Sequence, residues 1–129
     1  SMNFYKLYET FMDETSTMKK VDFREMLTEQ GHARHYQIEL YAKFEAEAGG
    51  NIEDRLTRIR SIKGVTIVSK QEGTPARSVR RIKFHPELEA MRASTYVRTI
   101  LMPDINSGSK VPGVHVLGIV RGSLKQLEI

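Results

Sequence analysis

The stretch Tyr36-Gln37-Ile38-Glu39-Leu40-Tyr41-Ala42-Lys43-Phe44-Glu45-Ala46 constrains this chain more than any other. Every even position is apolar or aromatic, and every odd position except Tyr41 is polar or charged. Side chains alternate between the faces of a strand, so this pattern predicts a long half-buried strand with Ile38, Leu40, Ala42 and Phe44 inward. Gly49-Gly50 ends it. A strand of that kind needs a sheet to pair with and a layer to cover its apolar face.

The following residues supply both. Asn51 suits an N-cap, with Glu53 and Asp54 in the first turn, where the helix dipole favours acids. Ile52, Leu56, Ile59 and Ile62 recur at helical spacing, with Arg55, Arg58 and Arg60 expected on the opposite side and Gly64 as the stop. Val65 to Ser69 is rich in β-branched residues and reads as a strand. Gln71 to Ser78 carries glycine, threonine and proline and reads as a turn or loop. Val79 to His85 alternates again, with Ile82 and Phe84 on one face, and Pro86 closes it. A second helix is expected from about Ser94, carrying Val97, Ile100, Leu101 and Ile105, with Pro103 either kinking it or opening its last turn. Gly113 to Arg121 is the last strand, and Leu124 to Ile129 extends it.

Strand, helix, strand, strand, helix, strand with right-handed crossovers gives an α+β fold, a ferredoxin-like β-α-β-β-α-β sandwich. Its sheet has four antiparallel strands in the order 4-1-3-2, with two helices on one face. Gly64-Val65 and Gly113-Val114 each stand at a helix-to-strand joint, an echo expected of two related halves. Residues 34–129 are assigned to this domain and residues 1–33 to an N-terminal helical arm. In the arm Phe4, Leu7, Tyr8 and Phe11 form an i, i+3, i+4, i+7 stripe, and Asp22 to Gln30 forms a second short helix presenting Phe23, Met26 and Leu27.

Composition narrows the chemistry. The chain has 129 residues, enough for one domain with its own core, and no cysteine, which removes disulfides, thiolate metal sites and a cysteine nucleophile. There is no apolar run of membrane-spanning length and no secretion signal. The net charge of +4 permits a polyanionic partner without requiring one. Four histidines lack the further ligands that zinc wants, although His85 and His115 are expected to share the open sheet face. Nucleophile-elbow and phosphate-loop motifs are absent, and Glu87 and Glu89 beside His85 are the nearest thing to an acid–base pair. The expectation is a non-enzymatic protein without cofactor or metal.

Two surfaces are candidates for binding. Arg80, Arg81 and Lys83 flank a strand and suit phosphate contact, with Tyr41 the one outward aromatic well placed on the first strand. Phe4, Leu7, Phe11, Tyr41, Leu117 and Ile119 are the candidate contact residues for self-association through the open face or the strand edges, most simply as a symmetric dimer with the arm contributing.

The core from about residue 36 to 121 resembles small uncharacterised proteins of large tailed bacteriophages. The resemblance rests on "Arg58-Ile59-Arg60-Ser61-Ile62-Lys63-Gly64-Val65-Thr66-Ile67", "Arg80-Arg81-Ile82-Lys83-Phe84-His85-Pro86" and "Pro112-Gly113-Val114". The segment from Met2 to Glu14 is similar to the capsid-targeting leaders of internal head proteins in such phages. Leu27-Thr28-Glu29 fits the pattern cut by their prohead proteases, although Gln30 stands where a small residue is usual. The resemblance implies a structural or assembly component acting through protein–protein contacts with itself and other virion proteins, with nucleic acid as the alternative partner. A small-molecule-binding regulator or enzyme is the third reading, and no membrane partner is expected. The location implied is the phage particle or the cytoplasm of an infected bacterium.

Overall fold

A computed structural model of the chain describes residues 26–68, 72–86 and 90–127. The alternating segment forms β1 (Tyr36–Ala46) as expected, with Ile38, Leu40, Ala42 and Phe44 fully buried. α1 (Ile52–Arg60) follows, and its N-cap is Asn51, whose side-chain oxygen accepts from the Glu53 N–H at 2.9 Å. The remaining strands are β2 (Val65–Val68), β3 (Glu72–Thr74), β4 (Arg77–Phe84) and β5 (Val114–Gln126).

The result is a mixed α/β architecture on an open antiparallel sheet of five strands, ordered β2-β4-β1-β5 with β3 also paired to β4. The turn or loop expected from residue 71 contains a tight turn as read, but it is preceded by the short strand β3, which makes it a hairpin. Thr74 pairs with Arg77 around Pro75-Ala76, and the Arg77 N–H donates to Thr74 Oγ1 at 3.2 Å. β2 and β3 occupy the same side of β4 in succession, so the fifth strand does not alter the order of the four long ones.

The second helical region opens as α2 (Ala93–Tyr96) and continues through two π-helical stretches, Val97–Leu101 and Asp104–Gly108. Pro103 has no N–H and its ring clashes with a carbonyl one turn back in an ordinary α-helix. The wider turn immediately before it, closed by the Met102 N–H on the Val97 carbonyl, lets the chain pass the proline without ending.

α1 and the second helical region send Ile52, Leu56, Ile59, Tyr96, Val97, Leu101, Met102 and Ile105 into one core with the even-numbered residues of β1 and with Ile82 and Phe84 of β4. Gly64 and Gly113, the two glycines of the sequence echo, both have positive φ, +92° and +75°, and each delivers the chain into a strand. That backbone region is strained for a residue with a Cβ.

The boundary at residue 33 needs correction. Met26 and Ala33 are fully buried and Leu27 nearly so, all within the main core. The segment is stitched to the approach to α2 by Ala33 N–H to Met91 O, Ala93 N–H to Gly31 O and Ser94 N–H to Glu29 O. Residues 26–33 therefore belong to the domain. Phe4, Leu7, Phe11 and the rest of the expected arm lie outside the described residues.

Candidate functional site

Three places bring chemistry-bearing groups together: the open face of the sheet, a buried arginine under the β5 joint, and the outer edge of β5.

On the open face, register fixes the neighbours. Tyr41 stands at the centre with Arg81 opposite it on β4 and Arg121 opposite it on β5. The next rows are Lys83–Glu39–Ser123 on one side and Val79–Lys43–Gly118 then Arg77–Glu45–His115 on the other. Arg81 Nε donates to Glu39 Oε2 at 2.6 Å, and Lys83 Nζ lies 4.0 Å from the same oxygen. The Glu39 hydrogen bond pushes the Arg81 guanidinium further up, with Tyr41 adding to it. The Arg121 guanidinium lies 4.5 Å from the centre of the Tyr41 ring, a cation–π contact. Counting also Lys125 opposite Gln37, this face sets six Lys and Arg against two Glu on β1, β4 and β5.

That arrangement corrects the expected apolar face. Ile119 is fully buried and cannot be a contact residue. Its strand carries two β-bulges: Lys43 pairs with Gly118 but Phe44 with Val116, leaving Leu117 extra, and Tyr41 pairs with Arg121 but Ala42 with Ile119, leaving Val120 extra. Each extra residue inverts the alternation, so Ile119 turns inward between them and the original phase returns at Gly122. Leu117 is half-buried at the first bulge.

The basic set is corrected as well. Arg80 is buried on the helix side, with its guanidinium 2.6 Å from Glu53 of α1, so it is not available to a partner. Arg81 and Lys83 remain on the open face. His85 and His115 do not share a site: His85 follows the Phe84–Ile38 pair at one end of β1, and His115 pairs with Glu45 near the other, roughly 25 Å away along the strand. His115 instead faces Glu47, Nε2 to Oε1 at 3.0 Å. Glu87 and Glu89 lie outside the described residues. Among the described residues no group of three or more His, Asp or Glu could hold a metal ion. No described helix is long and apolar enough to cross a membrane.

Arg55, too, lies elsewhere than its charge suggests. Expected on the polar side of α1, it is buried and donates Nε to Ser109 Oγ at 3.1 Å, Nη1 to Val114 O at 2.7 Å, and Nη2 to the carbonyls of Ile105 and Asn106. It thus ties α1 to the C-terminal end of the second helical region and to the first residue of β5. Those helix-end carbonyls lack intrahelical partners and carry the negative end of the dipole, which suits a buried cation. Burial pushes Arg55 down to about 10, so it remains charged at neutral pH. The signal was present: Arg55 is three residues after Ile52 and four before Ile59, on the apolar stripe itself.

Beside Arg55 opens a groove of about 510 Å³ lined by Lys110, Val111, Pro112, Val116 and Leu117 among others. It adjoins β5, a strand of 13 residues that is last in the sheet order, with no strand on its outer side among the described residues.

The expected processing segment is folded in. The Leu27 carbonyl accepts from Arg98 Nη2 at 2.7 Å, the Glu29 side chain accepts from the Tyr36 hydroxyl at 2.6 Å, and the Glu29 carbonyl is taken by Ser94. Leu27, Thr28 and Glu29 are therefore not presented as an extended substrate while the domain is folded.

No protein-family model, curated protein or solved structure matches this chain.

Proposed function

We propose that this chain is a non-enzymatic assembly module of the phage-particle type, working by protein–protein contact and self-association through the outer edge of β5. In this reading the fold is ferredoxin-like, with β2 and β3 as one interrupted strand of the β-α-β-β-α-β order. The phage-like sequence elements support the class, and with it a location in the particle or the infected cell and other virion proteins as further partners.

The observation that carries self-association is the 13-residue edge strand beside its half-apolar groove. Unpaired backbone N–H and C=O groups along an edge are a template for another strand, and adjoining pockets take its side chains. A second copy satisfies both edges at once, because antiparallel β5–β5 pairing about a two-fold axis is self-complementary. Leu117 and Val111 then meet the partner at the groove. The open face, being charged, is left free by this arrangement.

Sedimentation velocity from low to high micromolar concentration tests the reading. A dimer, dissociating on dilution, is expected. A monomer throughout the range, with residues 1–25 resistant to protease, would mean that the chain's own N-terminal segment covers the edge, and the proposal fails.

A further inference from the structure

The open face lies on a different surface from the β5 edge and does not depend on that reading. We propose that it is a binding site for single-stranded nucleic acid, with the Tyr41–Arg121 pair as the stacking platform for a base and the surrounding Lys and Arg residues as the phosphate track.

Six Lys and Arg against two Glu, on the β1, β4 and β5 residues that share this face, make it more basic than an evenly mixed surface. Glu39 holds Arg81 and neighbours Lys83, and Glu45 lies 3.7 Å from Arg77. Glu39 and Glu45 stand on β1 and Glu72 of β3 is in register with Val79, whereas neither Arg121 nor Lys125 has an acidic residue opposite it on β1. A surface of this kind attracts a polyanion by counterion release.

Shape then selects among polyanions. Among the described residues no helix or ribbon projects from this face to enter a duplex groove, which disfavours base readout in double-stranded DNA. At its centre is the one aromatic side chain among the outward residues of β1, half-exposed and overlaid by a planar guanidinium. Unpaired bases stack on aromatic rings and on arginine planes alike, and such stacking tolerates any base. An acidic peptide would use the charge but has no need of Tyr41, so the ring separates the two occupants.

The test is fluorescence anisotropy of the full chain with labelled oligo-dT, oligo-rU, a hairpin duplex and poly-glutamate, at about 50 and 200 mM salt. We expect both single strands to bind, more tightly than the duplex and the peptide, with affinity falling as salt rises; the ratio of the rU and dT arms reports any use of the ribose hydroxyl. Tyr41→Ala should weaken single-strand binding roughly fivefold to a hundredfold, the range for losing one stacked base, and Tyr41→Phe should restore it. Lys43→Ala with Arg121→Ala should flatten the salt dependence. Tyr41 is half-exposed, so these variants should keep the wild-type circular dichroism spectrum. Failure of both single strands to bind at the lower salt overturns the proposal. So does equal binding of duplex or poly-glutamate, or an unchanged affinity in a folded Tyr41→Ala protein.

Discussion

Among the described residues β1 is paired along both sides and β5 along one, and their burial patterns differ accordingly. In β1 the alternation runs unbroken from Ile38 to Phe44, each even residue fully buried and each odd one half-exposed. In β5 it holds at Val114 and Val116, inverts at Ile119 and recovers by Gly122, because two bulges each add a residue. A strand held on both sides cannot take an extra residue without breaking two ladders at once. A strand at the edge breaks only one, and bulges there also twist the edge away from indiscriminate pairing. Period-two reading is thus strongest for the centre of a sheet and weakest at its rim, which is also where contacts with other molecules form.

The largest effect expected from this contrast is in β1. Phe44→Ala should destabilise the domain by about 3–5 kcal/mol in urea melts, against under about 1 kcal/mol for Tyr41→Ala on the opposite face. The inverse ranking would break the parity of β1. The same comparison on β5 has the opposite sense to simple alternation. Ile119→Ala should lose about 2–5 kcal/mol and Leu117→Ala about 1 kcal/mol, so a larger loss at Leu117 would remove the bulges from the account.

Arg55 sharpens the comparison at the start of β5, where it anchors Val114. Arg55→Met keeps the volume and removes a desolvated charge, but takes away the Arg55 hydrogen bonds to the carbonyls of Ile105, Asn106 and Val114, of which Ile105 keeps the Ser109 hydroxyl. The net loss expected is about 1–3 kcal/mol by chemical denaturation, and Arg55→Lys should recover little, since an ammonium cannot span the same acceptors.

The smallest effect is confined to alkaline solution. Burial, and then the Asp104 charge, push the Tyr96 hydroxyl up to about 12. Unfolded, it ionises near 10, so its contribution to stability is complete below about pH 10 and lost as pH rises towards 12. Arg55, pushed down to about 10, works in the opposite sense over the same range, so the useful comparison is with Tyr96→Phe. That variant should melt with a shallower decline between pH 10 and 12; an unchanged slope would mean that Tyr96 is not so buried.

Much of the architecture was legible for local reasons. The β1 alternation, the Asn51 cap, the glycine joints and the order of the four long strands follow from patterns that neighbours in sequence already display. The short strand Glu72–Thr74 was not, because three residues with glycine carry too little pattern to distinguish a strand from a loop. Arg55 was misplaced because its charge outweighed its position on the helix stripe, and its partners, three carbonyls and a hydroxyl, are fifty or more residues away along the chain. Arg80 was misplaced for a related reason: its parity with Ile82 and Phe84 pointed inward, but only tertiary structure supplies Glu53. The basic, Tyr41-centred face could have been read from the odd positions of β1 and β4. Its completion by Arg121 depends on the bulges.

The most direct test of the central claim, that β5 is an interface and β1 is interior, is amide hydrogen exchange read segment by segment at low and high protein concentration. The account predicts that peptides covering 114–126 become more protected as concentration rises while those covering 36–46 stay strongly protected throughout. Protection of 114–126 that does not change across a thousandfold dilution, in a protein of monomeric mass, would contradict it.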